Sequence, residues 1–466
     1  MRTSKRLRSG AATIAALLTL AVIATPAVLF AHARLVRSTP GKDATLTTAP
    51  AALQLWFSER PELRFSTLAL LDSTGAPMSL GALTKIAGDE MGLSATISSA
   101  LPNGRYTVQW RTAAADGHAT SGSFSFVVAA RTPSAARAAA PVAADTTRIN
   151  PKRAPNTVVE TAPVTTMPAA VRWAELVAML TIVGTVVFSL VVVPGAQLPP
   201  DVTRDARDRA RRLANSVLVL FVITTLWRLS AQADLIPTAS SARISAMMTV
   251  VRETGWGAGW LVGGVGAVIA AVGLVLSRRG VMGWIVAAIG AVCIAASEGL
   301  TGHAAASKQV VLAVAVDLAH VLGAGGWMGG LAAVTLCGLA ATRRAEASTG
   351  GTRLSHQLIR AFHRSAIACV SIVLITSVAA IGIAWFRLGE PTVFWTSAYG
   401  SVLLLKMAFA VVLLVFGWYH WRTAVIPEWT DDTRFRFKRS VAVELLVGAG
   451  IVGVTTVLIS MGLTRS

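Results

Sequence analysis

The strongest constraint on this chain is a series of long apolar runs that starts at residue 171 and continues almost to the end. Each is close to the ~20 residues an α-helix needs to cross a bilayer. They fall at 171–194, 213–233, 257–277, 281–300, 310–340, 365–386, 399–421 and 440–463, which makes eight spans. A helix in hydrocarbon satisfies its own backbone polar groups, so this part is expected to be all-α and polytopic. Composition agrees: 14% of residues are charged, against about 25% in an ordinary soluble domain.

The formal net charge is +19, a value that in a soluble protein would suggest nucleic acid. Here the basic residues sit mostly in short stretches between apolar runs, so no nucleic-acid partner is expected. Arg204, Arg207, Arg209, Arg211 and Arg212 follow the first span, and Arg278 and Arg279 the third. Arg343, Arg344, Arg353, Arg360 and Arg364 follow the fifth. Arg422, Arg434, Arg436, Lys438 and Arg439 follow the seventh. The other loops hold only Arg243, Arg252, Lys308 and Arg387. Cytoplasmic loops carry the excess of Lys and Arg, so residue 171 is expected outside the cytoplasmic membrane.

The N-terminus points the same way. Arg2, Lys5, Arg6 and Arg8 precede the apolar stretch Ala11–Ala24, and small residues follow, as in a secretory signal over 1–31. Cleavage after Ala31 leaves His32 at the new N-terminus. The −3 residue of that site is Leu29, and cleavage after Ala27 competes with it.

Residues 32–129 carry a different periodicity. Leu53, Leu55 and Phe57 alternate with polar or intermediate neighbours, as do Tyr106, Val108 and Trp110, and Phe124, Phe126 and Val128. A period of two marks strands with one buried face. Turn signals at Asp72-Ser73-Thr74-Gly75 and Pro102-Asn103-Gly104 separate them. About 100 residues of short strands suggest a β-sandwich. Residues 130–170 are rich in Ala, Thr and Pro and lack the apolar side chains to bury a core, so they read as a linker to the membrane domain at 171–466.

The chemistry of the β domain gathers at His32, Asp116 and His118. A histidine at a mature N-terminus offers its α-amine and its ring nitrogen to one metal ion. In Asp116-Gly117-His118 the i, i+2 spacing aims two ligands to one side of an extended segment. Nitrogen and carboxylate donors in a tetragonal set suit Cu(II), which also heads the divalent affinity order. Taken alone, the tripeptide reads as a polar turn. Cys293, Cys337 and Cys369 all lie in apolar runs and no CxxC occurs, which leaves no disulfide framework and no thiolate cluster.

These residues carry a resemblance. His32-Ala33-Arg34-Leu35, Ser38-Thr39-Pro40, Leu53-Gln54-Leu55-Trp56-Phe57-Ser58, Gly104–Trp110, Asp116-Gly117-His118 and Gly122–Phe126 resemble the CopC copper-binding family. The resemblance implies an immunoglobulin-like sandwich with Cu(II) at His32, Asp116 and His118. Some members also carry a Met-rich Cu(I) loop, but Met78 and Met91 are not clustered, so no Cu(I) site is expected in this domain. Downstream, Asp317–Leu331, Tyr399-Gly400 with Leu404-Leu405-Lys406, and Arg439-Ser440-Val441 with Glu444 resemble the CopD copper-resistance family. CopC–CopD fusions occur in this order, and the resemblance implies a role in copper movement or resistance.

Ionisable groups inside spans are costly and mark function. Glu175, Glu298, Asp317, His320, Lys406 and Glu444 are such groups, and His303 follows the fourth span. Asp317 and His320 share a helix face, with Met328, a thioether donor for Cu(I), close to that face. His303, Asp317, His320, Met328 and Glu298 therefore outline a candidate copper path. The competing readings are a Lys406–Glu444 ion pair, a helix–helix hydrogen bond at His320 and a plain loop histidine at 303. His356, His363 and His420, at or near cytoplasmic helix ends, receive no role.

The expectation is a protein of the cytoplasmic membrane that binds Cu(II) outside and moves copper inward. The alternatives are sequestration or sensing with the membrane domain as anchor, or a haem or quinone redox protein. No enzymatic activity is expected, because Asp116 fills the position that oxygen chemistry at copper needs open. Copper ions and the lipid bilayer are the partners; no chaperone or reductase is identified.

Overall fold

The computed structural model describes residues 34–114, 119–129, 169–236, 243–307, 309–347, 352–388, 398–424 and 431–460. The chain divides into two compact units, His32–Val164 and a second comprising Met1–Ala31 with Thr165–Ser466.

The first unit is a sandwich of two sheets. One has the order β1-β3-β7-β6, with β1 at Leu35–Thr39, β3 at Ala52–Phe57, β6 at Thr84–Ile86 and β7 at Asp89–Thr96. The other has the order β2-β9-β8-β4-β5, with β2 at Thr45–Leu46, β4 at Thr67–Leu71, β5 at Pro77–Met78, β8 at Gly104–Ala113 and β9 at Ala119–Val128. All pairs are antiparallel except β2 with β9. The alternation is borne out residue by residue. Leu53, Leu55 and Phe57 point inward from β3, Tyr106, Val108 and Trp110 from β8, and Phe124, Phe126 and Val128 from β9. Phe57 and Trp110 meet edge-on at 5.3 Å between ring centroids, which ties the two sheets together. Each buried aromatic or aliphatic side chain contributes roughly 1.5–3 kcal/mol.

Both turn signals form. The Asp72 carboxylate accepts from the Thr74 amide (2.8 Å), the Thr74 hydroxyl (2.6 Å) and the Ala76 amide (2.9 Å), while Gly75 takes a φ of 85°. The Thr74 hydroxyl bond, helped by the backbone donors, holds the Asp72 carboxyl below its usual pKa. Ahead of β8, the Tyr106 hydroxyl donates to the Pro102 carbonyl at 2.8 Å, and its ring stacks on Phe126 at 5.6 Å. Tyr106→Phe keeps the ring and loses only that bond. It is expected to cost about 1 kcal/mol of domain stability, read from urea unfolding.

The second unit is helical. Among the described residues its eight membrane-length helices are α1 (Ala169–Ala196), α2 (Pro200–Ala233), α4 (Gly255–Leu276), α5 (Val281–Thr301), α6 (Val310–Glu346), α7 (Arg353–Leu388), α8 (Ala398–Ala424) and α9 (Asp431–Ser460). A short helix, α3 (Arg243–Glu253), precedes α4. Every span expected from the apolar runs is present. The arginine-rich stretches read as loops are corrected: 200–212, 341–346 and 353–364 are helical and continue their spans. Arg and Lys are good helix formers, so a basic stretch next to an apolar helix can extend it by several turns.

Close packing in this unit depends on glycine. A Cβ on Gly184 of α1 would overlap the backbone at Gly329 and Gly330 of α6. A Cβ on Gly266 of α4 would lie 2.9 Å from the Gly290 carbonyl of α5. Without side chains, backbones approach and gain dispersion contact that lipid cannot supply. Near its crossing with α1, α6 contains two π-turns, Gly325–Gly329 and Val334–Gly338. Such turns often mark functional segments.

Candidate metal centre

Three of the sequence candidates, His32, Asp116 and His118, lie outside the described residues. Their neighbours are described. Arg34 is bonded to Ser58 in both directions: the Arg34 amide donates to the Ser58 hydroxyl at 3.0 Å, and the Ser58 amide donates to the Arg34 carbonyl at 2.9 Å. Three residues further on, Pro61 bridges Ala114, and the Glu62 amide donates to the Ala113 carbonyl at 2.8 Å. Ala113 in turn pairs with Ala119, which closes the far side of the 115–118 connection. The chain therefore crosses from one sheet to the other over Ser58–Pro61. It holds Arg34, at the start of β1, and Ala114, just after β8, at one end of the sandwich.

In the helical unit the charged candidates form a shared network. Arg172 donates to Glu175 at 2.5 Å and also to Glu298. Arg228 lies 3.6 Å from the other oxygen of Glu175, donates to the Thr301 carbonyl at 3.3 Å, and rests over Trp256. Asp317 lies in the field of Glu298, Lys406, Arg172 and His303. Two cations, Arg172 and Arg228, thus face two anions, Glu175 and Glu298. Buried charges are tolerated only when paired in this way. Glu298, included in the copper path from sequence, has its carboxylate engaged by Arg172.

The remaining path residues are spread along the bundle. The His320 ring Nδ1 lies 3.1 Å from the Thr376 hydroxyl of α7, which itself donates to the Ile372 carbonyl at 2.7 Å. His303 Nε2 lies 2.9 Å from the Ile459 carbonyl at the end of α9. The Met328 thioether, within the first π-turn of α6, packs where α9 has Gly448. Among the described residues no three His, Cys, Asp or Glu side chains converge closely enough to hold a metal ion. The three cysteines are free thiols, with Cys337 buried and the other two half-buried.

The Lys406–Glu444 ion pair considered from sequence is corrected. Glu444 is paired with His420. His420 Nδ1 lies 2.7 Å from Glu444 Oε2, and its Nε2 lies 2.8 Å from the Ser440 hydroxyl. Both side chains are about 2% exposed. The imidazole is enclosed by Phe437, at 4.9 Å between centroids, and by Tyr419. Sequence reasoning passed over His420 because it sits near a helix end.

Comparison with known proteins follows this division of the chain. The family profile described as "CopC domain" matches residues 35–129, "Copper resistance protein D-like, N-terminal domain" matches 164–314, and "Copper resistance protein D" matches 356–458. The chain is similar to the "Copper transport protein CutJ" of Bacillus subtilis (strain 168), 24% identical over 415 residues, covering 87% of this chain and 70% of that protein. It is 34% identical over 113 residues to "Protein YobA" of Escherichia coli (strain K12), covering 24% of this chain and 90% of that protein. Among solved structures, CopC from Methylosinus trichosporium OB3b aligns with 27% identity and a TM-score of 0.21, covering 22% of this chain and 97% of that one.

Proposed function

Since this chain belongs to the CopC–CopD copper-resistance family, with a CopC domain and CopD segments in one polypeptide, we propose that it captures Cu(II) outside the cytoplasmic membrane and imports copper through its helical bundle. The observation that carries the reading is the Ser58–Pro61 crossing, which anchors Arg34 at one end and Ala114 at the other. His32 is two residues before Arg34, and His118 is next to Ala119. These described neighbours support a site in which the α-amine and ring of His32, the Asp116 carboxylate and the His118 ring share one ion. The first-row affinity order favours Cu(II) in such a nitrogen and oxygen set.

Inside the bundle, Asp317, His320, His303 and Met328 supply carboxylate, imidazole and thioether donors along α6 and its neighbours. The softer donors suit Cu(I). The balanced pairs around Arg172 lower the charge cost of a polar path through the bilayer. The arginine distribution between spans supports an outward-facing β domain, and a relative named as a copper transport protein spans most of the chain.

Cellular copper tests this directly. A strain lacking the protein is expected to accumulate less copper than its parent, and the His320→Ala variant is expected to restore only part of the difference. Equal copper in the deletion strain and its parent removes the import reading. Full function of both His320→Ala and Asp317→Ala favours sequestration by the β domain, with the bundle as an anchor.

A further inference from the structure

Two cavities meet beside α7. The first, of about 320 Å³, has a polar lining that includes Gln197, Gln357, Arg360 and Arg364, and among the described residues it contains no carboxylate. The second, of about 270 Å³, lies between α6, α7, α8 and α9 and is walled mainly by apolar and aromatic side chains, with Trp327, Phe362, Trp418 and Phe437 among them. His363, Ile367 and Trp421 line both, so the two form one groove with a basic end and an apolar end. The acidic residue of the apolar end, Glu444, is already paired with His420 at 2.7 Å.

The helical repeat of α7 produces this gradient. Gln357, Arg360, Arg364 and Ile367 recur at three- and four-residue steps and share one face, which Val370 and Ser371 continue into the apolar cavity. From Arg360 to Ile367 the face changes from guanidinium to hydrocarbon over roughly 10 Å of helix axis. Two arginines one turn apart repel each other unless an anion lies between them. The Arg364 guanidinium donates to the Gly195 carbonyl of α1 at 2.9 Å, which holds it across the groove and leaves further N–H donors for a ligand. At the junction of the two cavities, His363 Nε2 is buried without a hydrogen-bond partner among the described residues. Buried polar atoms are nearly always satisfied, and a ligand oxygen at this point would satisfy it. The groove also opens sideways: Ile367, Trp418 and Trp421 are 59%, 55% and 47% exposed, as apolar side chains that meet lipid are.

We propose that this groove binds an anionic phospholipid, with the phosphate held by Arg360 and Arg364 and an acyl chain laid over Ile367 and Trp421 into the apolar cavity. The planar guanidinium fork matches phosphate oxygens two at a time. A net-negative head is favoured over a zwitterionic one, since the basic end has no carboxylate among the described residues to receive a choline or ethanolamine ammonium. In the tautomer protonated at Nε2, His363 donates to a phosphate or ester oxygen at the boundary. Basic pockets between membrane helices recognise anionic head groups in this way. On the orientation proposed above the groove faces the cytoplasmic leaflet. Its ligand chemistry depends neither on that orientation nor on copper transport.

The full chain in detergent tests this by native mass spectrometry and thermal melting, with phosphatidylglycerol and phosphatidylcholine of the same acyl chains and, separately, inorganic phosphate. The unaltered chain is expected to retain phosphatidylglycerol and to melt higher with it, and to respond to neither phosphatidylcholine nor phosphate. A basic group near a charged lipid contributes about fivefold, so Arg360→Gln with Arg364→Gln is expected to weaken phosphatidylglycerol binding roughly 30-fold. Arg278→Gln with Arg279→Gln removes the same charge outside the groove and is expected to change it little. Gly417 lines the apolar cavity at a point where an added Cβ meets nothing within 4 Å. Gly417→Leu is therefore expected to fold and to weaken lipid retention by filling the space of the chain. Equal retention of the two lipids, equal losses in the two double variants, or unaltered retention in Gly417→Leu overturns the proposal. So does a response to inorganic phosphate as large as that to lipid, which would make the groove a free-phosphate site. Copper uptake enters none of these readouts, so failure here leaves the transport reading standing.

Discussion

The β domain beginning at His32 is expected to bind one Cu(II), and the same domain with a single residue placed before His32 is expected to bind it at least ~100-fold more weakly. That factor is what loss of an outer-shell partner alone can cost, and here a direct ligand is lost. The added residue turns the α-amine into an amide, which no longer donates a lone pair at neutral pH. The imidazole of His32 stays, but the chelate ring through its own backbone nitrogen cannot form. His118→Ala removes a different donor and is expected to weaken binding comparably. Competition titration against a Cu(II) chelator of known affinity gives the readout. Equal affinity in the extended and authentic forms would place the copper elsewhere. The experiment also bears on processing, since cleavage after Ala27 would leave four residues, Val28 to Ala31, ahead of His32.

The second large effect is expected at Arg172. Its guanidinium serves two carboxylates at once, Glu175 at 2.5 Å and Glu298, and all three side chains are nearly excluded from solvent. Arg172→Gln leaves the two carboxylates Glu175 and Glu298 facing only Arg228. Removing one partner of a buried pair costs about 3–5 kcal/mol, because the remaining charge is left uncompensated. The variant is expected to melt well below the parent in detergent and to accumulate poorly in the membrane. Arg172→Gln combined with Glu298→Gln restores the charge balance and is expected to recover a large part of the loss, since neutral amides can hydrogen-bond where the ion pair stood. A single variant as stable as the parent would show that the network is solvated rather than buried, and the balanced path drawn through it would fail.

The division between β and α parts was legible from periodicity alone. The inward residues of β3, β8 and β9 are the ones the two-residue alternation named, and each of the eight apolar runs became a helix. The extensions of those helices into arginine-rich segments were missed, because charge was taken as a boundary when it marks only the edge of the apolar stretch. Short α3 was missed because it lacks a long apolar run. His320 and Glu444 were flagged by their cost in hydrocarbon, yet their partners were not foreseen. Thr376 and His420 lie far from them along the chain, and no local pattern signals them.

What the sequence determined by itself is every property that depends on neighbours along the chain: alternation, span length, the charge of each connection and the residue types able to bind copper. Only the tertiary structure decided which charges compensate one another. Glu298 is taken by Arg172, and a histidine set aside near a helix end forms a buried pair with Glu444. The physical reason is that electrostatic pairing depends on distances through space between helices. Those distances follow from glycine-mediated crossings such as Gly184 on Gly329, which hydrophobic periodicity does not encode.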